Sequence, residues 1–190
     1  MSMHESQQVV YTIGHSNRSI DVLLDLLRSA NVQDLVDVRA YPRSRRHPQF
    51  ESDALRHVLA DAGMTYQWVG AELGGFRKGR PDSPHRALKP VALRAYADHM
   101  DTDEFRTAIN ALIRRAHELV TAVMCAEKHP TNCHRSLISD YLTMRGIRVL
   151  HVIDADNVVK HRLSTVARCE SDRLVYDRMI QVTLGLHEET

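Results

Sequence analysis

The sequence predicts an α/β protein built around a parallel β-sheet. Short apolar runs of strand length alternate with longer stretches in which apolar residues recur every three or four positions. Polar side chains directly follow several of these runs, as they do where parallel strands end. At 190 residues, the chain is long enough to bury the core of one such domain.

Five apolar runs, rich in β-branched residues, predict strands because such residues pack well within a sheet. The stretches between them predict helices. Ser19, Ser52 and Thr102 are suited to cap the first turns of three helices, and Gly63 and Gly146 are suited to end two of the helices. The predicted strands cover residues 9–13, 35–38, 64–69, 120–124 and 148–153.

Two segments depart from this pattern. Residues 78–88 are rich in Gly, Pro, Arg and His and predict a long loop, which in a compact domain is usually functional or disordered. We expect residues 1–155 to form the α/β domain and residues 156–190 to form a C-terminal helical extension. This extension would pack on the domain or on a partner subunit, as in a homodimer. Its main helix would begin at Ser171 and share one face among Leu174, Val175, Arg178, Met179 and Val182.

Cysteine content and hydropathy limit the class of protein. An odd number of cysteines does not make a secreted disulfide framework, so we expect reduced thiols at Cys125, Cys133 and Cys169. No apolar run approaches the roughly 18 residues that a membrane span needs. The polar start of the sequence lacks a signal-peptide core. These features lead us to expect a cytoplasmic protein with no membrane partner.

Charge is distributed unevenly along the chain. Residues 39–94 carry a net charge of +6, whereas the rest of the chain carries −5. Such a basic segment is suited to contact the phosphates of a nucleotide or a nucleic acid. A solvated surface has the same composition, and the sequence leaves both interpretations open.

The loop after the fourth predicted strand carries the densest set of reactive side chains. Cys125 and Glu127 follow the strand directly, and Asn132 is suited to cap the next helix. This cap would put Cys133, His134 and Arg135 in the first helical turn, where free N–H groups attract anions and lower the pKa of a thiol. The alternative is that Cys125 is a small hydrophobic residue and Cys133 an inert thiol.

Candidate site residues follow the first four strands of the predicted parallel sheet. Because the carboxyl ends of parallel strands share one edge of a sheet, we expect these residues to converge there. They are His15 and Ser16 after the first strand, Arg39 and Ser44 after the second, Glu72, Gly74 and Gly75 after the third, and Cys125 and Glu127 after the fourth.

Several short motifs make the chain resemble the DUF488 family. They are TIGHS (residues 12–16), DVR (37–39) with Pro42 and Ser44, LGG (73–75), Cys125 with Glu127, and CHR (133–135). The resemblance covers about residues 10–155. It implies a three-layer, Rossmann-like domain with a mostly parallel sheet and helices on both faces. The family is defined as a domain of unknown function, so the resemblance implies no particular reaction.

Our first hypothesis is an enzyme, a hydrolase or transferase, that acts on a nucleotide, a nucleic-acid base or another phosphate-bearing substrate. Cys125 or Cys133 would be the nucleophile. Glu127, Glu72 or His15 would move the proton, since carboxylates and imidazoles near opposite charge are tuned for acid–base work.

Substrate binding in this hypothesis depends on cations and on close backbone approach. Arg39, Arg135 and the helix N-terminus would hold the anion, while Gly74 and Gly75 would let the backbone approach the ligand. The full set of binding candidates is Ser16, Arg39, Ser44, Glu72, Gly74, Gly75, His134 and Arg135.

Structural roles compete with these functional ones. His15 could be an ordinary histidine bonded to the backbone at the end of a strand, and Glu127 could form a buried ion pair with Arg39. For Asp37 we favour the structural role, as a carboxylate bonded to N–H groups of the loop.

A second hypothesis is a metal site for zinc or iron. Cys125, Cys133, His134 and His15 offer sulfur and nitrogen ligands, and a three-ligand version with an open position would be catalytic. The C-x₇-C-H spacing is not a standard zinc pattern, and Arg135 would add positive charge nearby.

A third hypothesis is a nucleic-acid-binding module without catalysis. Its phosphate-binding surface would come from the basic segment, residues 39–94. A single Trp gives little stacking platform for single strands, and the sequence shows no helix-turn-helix or zinc-finger pattern. The arginines and other basic residues concerned are Arg43, Arg45, Arg46, His47, Arg77, Lys78, Arg80 and Arg86.

Overall fold

Residues 8–131 and 133–178, which the computed structural model describes, contain eight strands, six α-helices and one 3₁₀ turn. In the first half these are β1 (Val9–Gly14), α1 (Ile20–Ser29), β2 (Asp34–Asp37), the turn Pro48–Phe50, α2 (Ser52–Asp61), β3 (Thr65–Trp68), α3 (Gly70–Leu73) and α4 (Val91–Met100). The second half adds α5 (Asp103–Glu118), β4 (Thr121–Cys125), α6 (Arg135–Met144), β5 (Arg148–Asp154), β6 (Asn157–Lys160), β7 (Ala167–Glu170) and β8 (Arg173–Tyr176).

Six strands form one sheet in the order β3-β2-β4-β1-β5-β6. The first five strands of the chain run parallel to one another, and β6 pairs antiparallel with β5. Every residue of β4 is buried, as expected for a strand that parallel neighbours flank and helices cover. The predicted α/β class with a mostly parallel sheet is confirmed.

The two faces of the sheet carry separate hydrophobic cores, because successive strand residues point to opposite faces. Val123 packs in the core beneath α4, α5 and α6. Its neighbours Ala122 and Met124 pack in the core beneath α1 and α2. Helices therefore cover both faces, and the three-layer, Rossmann-like arrangement is confirmed.

Four of the predicted helix-end signals are confirmed, and the one at Ser52 is wrong. Ser19 and Thr102 cap α1 and α5 by accepting the N–H groups of Val22 and Phe105. Gly63 and Gly146 follow α2 and α6 with φ of +74° and +80°, a conformation that glycine adopts without strain. The cap predicted at Ser52 is wrong, because Ser52 lies inside α2, where its hydroxyl contacts the Tyr66 hydroxyl at 3.2 Å.

The helix predicted to begin at Ser171 is wrong over the described residues. β7 and β8 form an antiparallel hairpin there, and Ser171 has φ of 52° in its turn. Leu174 and Val175, which are adjacent in β8 and point to opposite faces of the hairpin, are both buried, so both of its faces are covered there. Met179 and Val182 lie outside the described residues.

The chain after residue 155 is also joined to the α/β domain. β6 extends the main sheet, and the Tyr176 hydroxyl donates a hydrogen bond of 3.0 Å to Asp140 on α6. The predicted loop 78–88 is irregular, as expected, and the Ala87 N–H ties it to the Tyr176 carbonyl. Through β6 and Tyr176, the described residues after 155 thus contact the α/β domain.

Candidate active site

The carboxyl ends of β1 and β4 are joined side by side. Gly14 and Cys125 are register partners, and the N–H groups of His15 and Ser16 donate to the carbonyls of Cys125 and Ala126 at 3.0 and 2.8 Å. Any side chain at Gly14 would collide with the Glu127 backbone. This close approach fixes the loop that carries Cys125 to the neighbouring strand.

Cys125, Cys133 and His134 converge at this edge of the sheet. The two sulfur atoms lie 4.0 and 3.8 Å from Nδ1 of His134, and all three atoms lie within 4.8 Å of one another. Nε2 of His134 lies 3.1 Å from the carbonyl oxygen of Val38. Because a carbonyl only accepts, Nε2 carries a hydrogen, and Nδ1 is the nitrogen that faces both sulfurs.

The absence of a side chain at Gly75 leaves space for the imidazole of His134. A β-carbon at residue 75 would lie 2.6 Å from Nδ1 of His134, closer than side chains approach one another. The predicted close backbone approach at Gly75 is thus to His134. A β-carbon at residue 74 would instead collide with the carbonyl oxygen of Gly70 and the backbone of Ala40.

Arg135 is a buried cation next to the two thiols. Its side chain is 1% exposed, and it donates to the carbonyl oxygens of Glu127 and Lys128 at 2.8 and 3.3 Å. Nε of Arg135 has no hydrogen-bond partner, and no carboxylate among the described residues forms an ion pair with this guanidinium. A buried cation of this kind favours negative charge nearby.

The two thiols have opposite electrostatic tendencies. A hydrogen bond from the Cys133 thiol lowers the pKa of Cys125 the most; His134 and Arg135 lower it further, while burial opposes them. The hydrogen bond to Cys125, burial and the nearby Cys125 charge raise the pKa of Cys133. These directions favour ionisation of Cys125 over ionisation of Cys133.

A cavity of about 290 Å³ opens above these sulfurs. Tyr41 and Phe76 stand at its rim with 75% and 79% of their side chains exposed, and their ring centroids are 5.7 Å apart. The other lining residues are Arg39, Ala40, Gly75, Ala92, Leu93, Cys125, Ala126, Glu127, Cys133 and His134. Two thiols, an imidazole and a carboxylate thus share one cavity with an aromatic rim.

Arg39 lines this cavity, but its guanidinium is engaged elsewhere. Nε and Nη2 bind the Asp37 carboxylate at 2.9 and 2.6 Å, and Nη2 also donates to the Phe50 carbonyl. The ion pair considered between Arg39 and Glu127 does not form; Glu127 is exposed at the cavity wall. Asp37 takes the structural role we favoured, since it also accepts the Arg39 backbone N–H at 3.0 Å.

His15 is buried, and both of its ring nitrogens have partners. Nδ1 donates to the Ser16 carbonyl at 2.8 Å, and Nε2 accepts from Arg39 at 3.2 Å. Burial, followed by the Arg39 charge, lowers the pKa of His15 to about 4. The structure therefore places His15 in a supporting network rather than among the three metal-capable side chains.

Arg135, predicted to hold the anion, does not line the cavity, and neither do four other candidates. Glu72 borders a separate groove of about 510 Å³ beside α5, and its carbonyl accepts a hydrogen bond from His99. The Ser44 hydroxyl accepts the His47 N–H within its own loop. The backbones of Ser16 and Gly74 support the strand ends described above.

The helix after the site begins later than predicted. α6 starts at Arg135, so Cys133 and His134 precede the helix instead of occupying its first turn. Asn132, the predicted cap, lies outside the described residues. The Cys133 sulfur still accepts the backbone N–H of Arg135, which is one of the free donors at the helix start.

Sequence reasoning missed the aromatic pair at the rim. Tyr41 and Phe76 lie in the loops after β2 and β3, and Phe76 directly follows Gly75. The sequence signal available was the presence of aromatic residues in loops at the carboxyl edge of the sheet. That signal is weak when the exposure of the aromatic side chains is unknown. His151 and His161, which lie outside the cavity, form a chain of hydrogen bonds from Thr12 to Asp140.

Comparison with known proteins gives one match. The model of a family described as "Domain of unknown function DUF488" matches residues 19–142. No curated protein and no solved structure matches the chain. Among the described residues, no helix is both long and apolar enough to cross a membrane.

Proposed function

Because this chain belongs to the DUF488 family, whose description assigns no function, we propose a function from its own residues. The protein is a hydrolase or transferase that uses Cys125 as a thiolate nucleophile. Its substrate is a nucleotide, a nucleic-acid base or another phosphate-bearing molecule with a planar ring.

The observation that carries this proposal is the buried charge of Arg135. The guanidinium has only carbonyl oxygens as hydrogen-bond partners among the described residues, and carbonyls do not neutralise it. Cys133, Cys125 and the exposed Glu127 carboxylate are the groups whose negative charge acts on this guanidinium, and a thiolate at Cys125 would place that charge in the buried core. Thiolates are the reactive form of cysteine, so the charge balance of the core also activates the nucleophile.

The rim of the cavity supports a substrate with a planar ring. Tyr41 and Phe76 expose most of their side chains next to the thiols, and stacking of a base on an aromatic side chain contributes about 1–3 kcal/mol. Arg43, Arg45 and Arg46 follow Tyr41 on the same loop and are exposed or partly exposed. Their positive charge suits a phosphate group attached to the ring.

The chemistry divides into two steps. The Cys125 thiolate attacks an electrophilic carbon or phosphorus atom, and the leaving group departs with its bonding electron pair. Water in a hydrolase, or an acceptor in a transferase, then attacks the same atom and releases Cys125 as a thiolate. Glu127, at the cavity wall, accepts the proton of this second nucleophile.

A second candidate function is a metal centre made by Cys125, Cys133 and His134. Its support is the grouping of three ligand atoms within 4.8 Å and the Val38 carbonyl that orients the imidazole from behind. Zinc or iron would keep an open position toward the cavity. The buried charge of Arg135 opposes a dication, which is why we rank this candidate second.

A nucleic-acid-binding module has less support. Two of its arginines make internal contacts: Arg77 donates to the Gly74 and Ala71 carbonyls, and Arg80 pairs with Asp98. Nucleic-acid binding with a steep salt dependence that survives Cys125→Ala would favour this function over catalysis.

Alkylation by iodoacetamide tests the proposed nucleophile. The groups that face Cys125 are Cys133, His134, Arg135 and His15, and their net effect lowers its pKa. In Cys169→Ser protein we therefore expect the rate to reach its plateau well below the pH of about 8.5 at which a free thiol titrates. The Cys125→Ala substitution should abolish this fast alkylation, which is called the fast phase below.

The matched control is Cys133→Ser, which removes the neighbouring thiol but keeps a hydroxyl donor. It should retain a fast phase at Cys125. A rate that rises only near the pKa of a free thiol would refute the nucleophile. Metal analysis of the same untagged protein decides the second candidate: stoichiometric zinc or iron that disappears in Cys133→Ser supports the metal centre and overturns the free thiolate.

A further inference from the structure

The sulfur atoms of two cysteines lie close together in one cavity. Cys125 and Cys133 both line it, and their sulfur atoms lie within 4.8 Å of each other. A disulfide needs the sulfurs to approach to about 2.05 Å, which demands side-chain rotation and a small movement of one loop. The two loops concerned are both at the surface edge of the sheet, where Cys125 ends β4 and Cys133 precedes α6.

The surroundings assign different roles to the two thiols. Cys125 ends β4 and is held beside β1 through its register partner Gly14, whereas Cys133 lies in the loop before α6, which can bring its sulfur toward Cys125. The buried guanidinium of Arg135, at the start of α6, favours negative charge on this pair. A thiolate attacks an electrophile readily, and a neighbouring protonated thiol is positioned to resolve the product. Neither role needs the aromatic rim or an organic substrate.

We propose that this pair reduces hydroperoxides, with Cys125 as the attacking cysteine and Cys133 as the resolving cysteine. This activity goes beyond the proposed group transfer, although it uses the same thiolate.

The electron and atom balance is complete within the pair. The Cys125 thiolate attacks the outer oxygen of the hydroperoxide, the O–O bond breaks, and the alcohol or water leaves after taking a proton from solvent. Cys125 is then a sulfenic acid. The Cys133 sulfur attacks Cys125, its proton and the hydroxyl group depart as water, and a disulfide forms. Two electrons have passed from the two thiols to the peroxide, and an external dithiol restores the reduced pair.

Cys169 provides an internal comparison. It lies on β7, is exposed, and is not one of the described residues that line the cavity or group with His134. Its thiol therefore reports how fast an exposed cysteine of this chain reacts without the Arg135 environment. The comparison uses two variants of the same length and fold: Cys169→Ser retains the pair, and Cys125→Ser retains the exposed thiol.

The experiment treats Cys169→Ser protein with one equivalent of hydrogen peroxide and counts free thiols over time. We expect both thiols to disappear together, the intact mass to fall by two hydrogen atoms, and peptide mapping to join Cys125 to Cys133. The reaction should be at least roughly tenfold faster than that of Cys169 in Cys125→Ser protein. Equal rates, or oxidation without the Cys125–Cys133 link, would overturn the proposal.

Cys133→Ser, made in the Cys169→Ser background, identifies the order of events. It should stop at a sulfenic acid on Cys125 that dimedone traps, whereas Cys125→Ser should leave Cys133 unmodified. Dimedone labelling of Cys133 instead would overturn the assigned roles. Iodoacetamide alkylation of the Cys169→Ser sample separates this proposal from the proposed function: fast alkylation of Cys125 without peroxide-driven linkage overturns the peroxide activity alone.

Discussion

At the scale of single residues, the hydrogen-bond and ion-pair partners of a candidate site residue determine what it can do. Arg39 follows the second strand as an apparent anion binder, yet Asp37 two residues earlier takes its guanidinium. Arg135 has no such partner among the described residues, so its charge acts on the thiols. Sequence spacing indicated that both arginines reach the same edge of the sheet, but it does not show which carboxylate a guanidinium meets.

Gly75 gives a prediction at this scale. Gly75→Ala would put its new methyl group 2.6 Å from Nδ1 of His134, so either the ring or the loop must move. Forcing atoms into a filled space typically costs about 1–3 kcal/mol. We expect the free energy of unfolding in urea to fall by that amount and the fast alkylation of Cys125 to slow.

Gly79→Ala is the matched control for this substitution. Its methyl group would come no closer than 3.3 Å, to the Ala95 side chain. It should change the free energy of unfolding by less than about 0.5 kcal/mol. Equal losses in the two variants would show that His134 does not depend on the space beside Gly75.

At the scale of elements, local signals predicted most of the helices and strands. The apolar runs of β1, β2, β4 and β5 are mostly buried between helices, so their composition separated them from the rest of the chain. The edge strand β3 is largely exposed. The hairpin β7–β8 was missed because Leu174 and Val175 fit the apolar stripe of a helix as well as they fit a strand. Short apolar runs do not resolve that ambiguity; the pairing of β8 with β7 does.

The cap of α5 gives a prediction at the scale of elements. The Thr102 hydroxyl accepts the Phe105 N–H at 3.2 Å, and loss of such a cap costs about 1 kcal/mol. Thr102→Ala should therefore lower the free energy of unfolding by about that amount in urea titrations. Thr107→Ala, which changes an exposed threonine inside the same helix, is expected to be neutral or slightly stabilising. A comparable loss in both variants would argue against the cap.

At the scale of the whole molecule, the fold class and the edge that carries the site were predictable, but the strand order was not. Strand-end residues must meet at one edge in any parallel sheet, so Cys125, Glu127 and Arg39 were expected together. The order β3-β2-β4-β1-β5-β6 depends on long-range pairing that no local pattern encodes. The position of β4 between β2 and β1 was therefore available only from the structure.

Buried histidines give the molecule a predictable dependence on pH. Burial, followed by the Arg39 charge, lowers the pKa of His15 to about 4, and burial, followed by the charges of His161 and Arg135, lowers that of His151 to about 3. Between those values and about 6.5, the unfolded chain binds more protons than the folded one. Stability is therefore complete above about pH 6.5 and declines as the pH falls toward about 4.

The expected slope is up to about 1.4 kcal/mol per pH unit for each of these two histidines. Urea titrations from about pH 7 to about pH 4.5 measure it. His15→Gln should reduce the slope by one histidine's share, whereas His57→Gln, at an exposed position on α2, should leave it unchanged. A slope that His15→Gln does not alter would contradict the burial argument.

The central position of β4 also has a consequence for how the protein is made. Both β1 and β2 are synthesised long before β4, yet neither pairs with the other; β4 lies between them. During synthesis on the ribosome, the edges of β1 and β2 that pair with β4 stay unpaired until residues 121–125 emerge. The strand that joins β1 to β2 also carries Cys125 to Gly14, so the cysteine of the candidate site is positioned in the same late event that joins these two early strands.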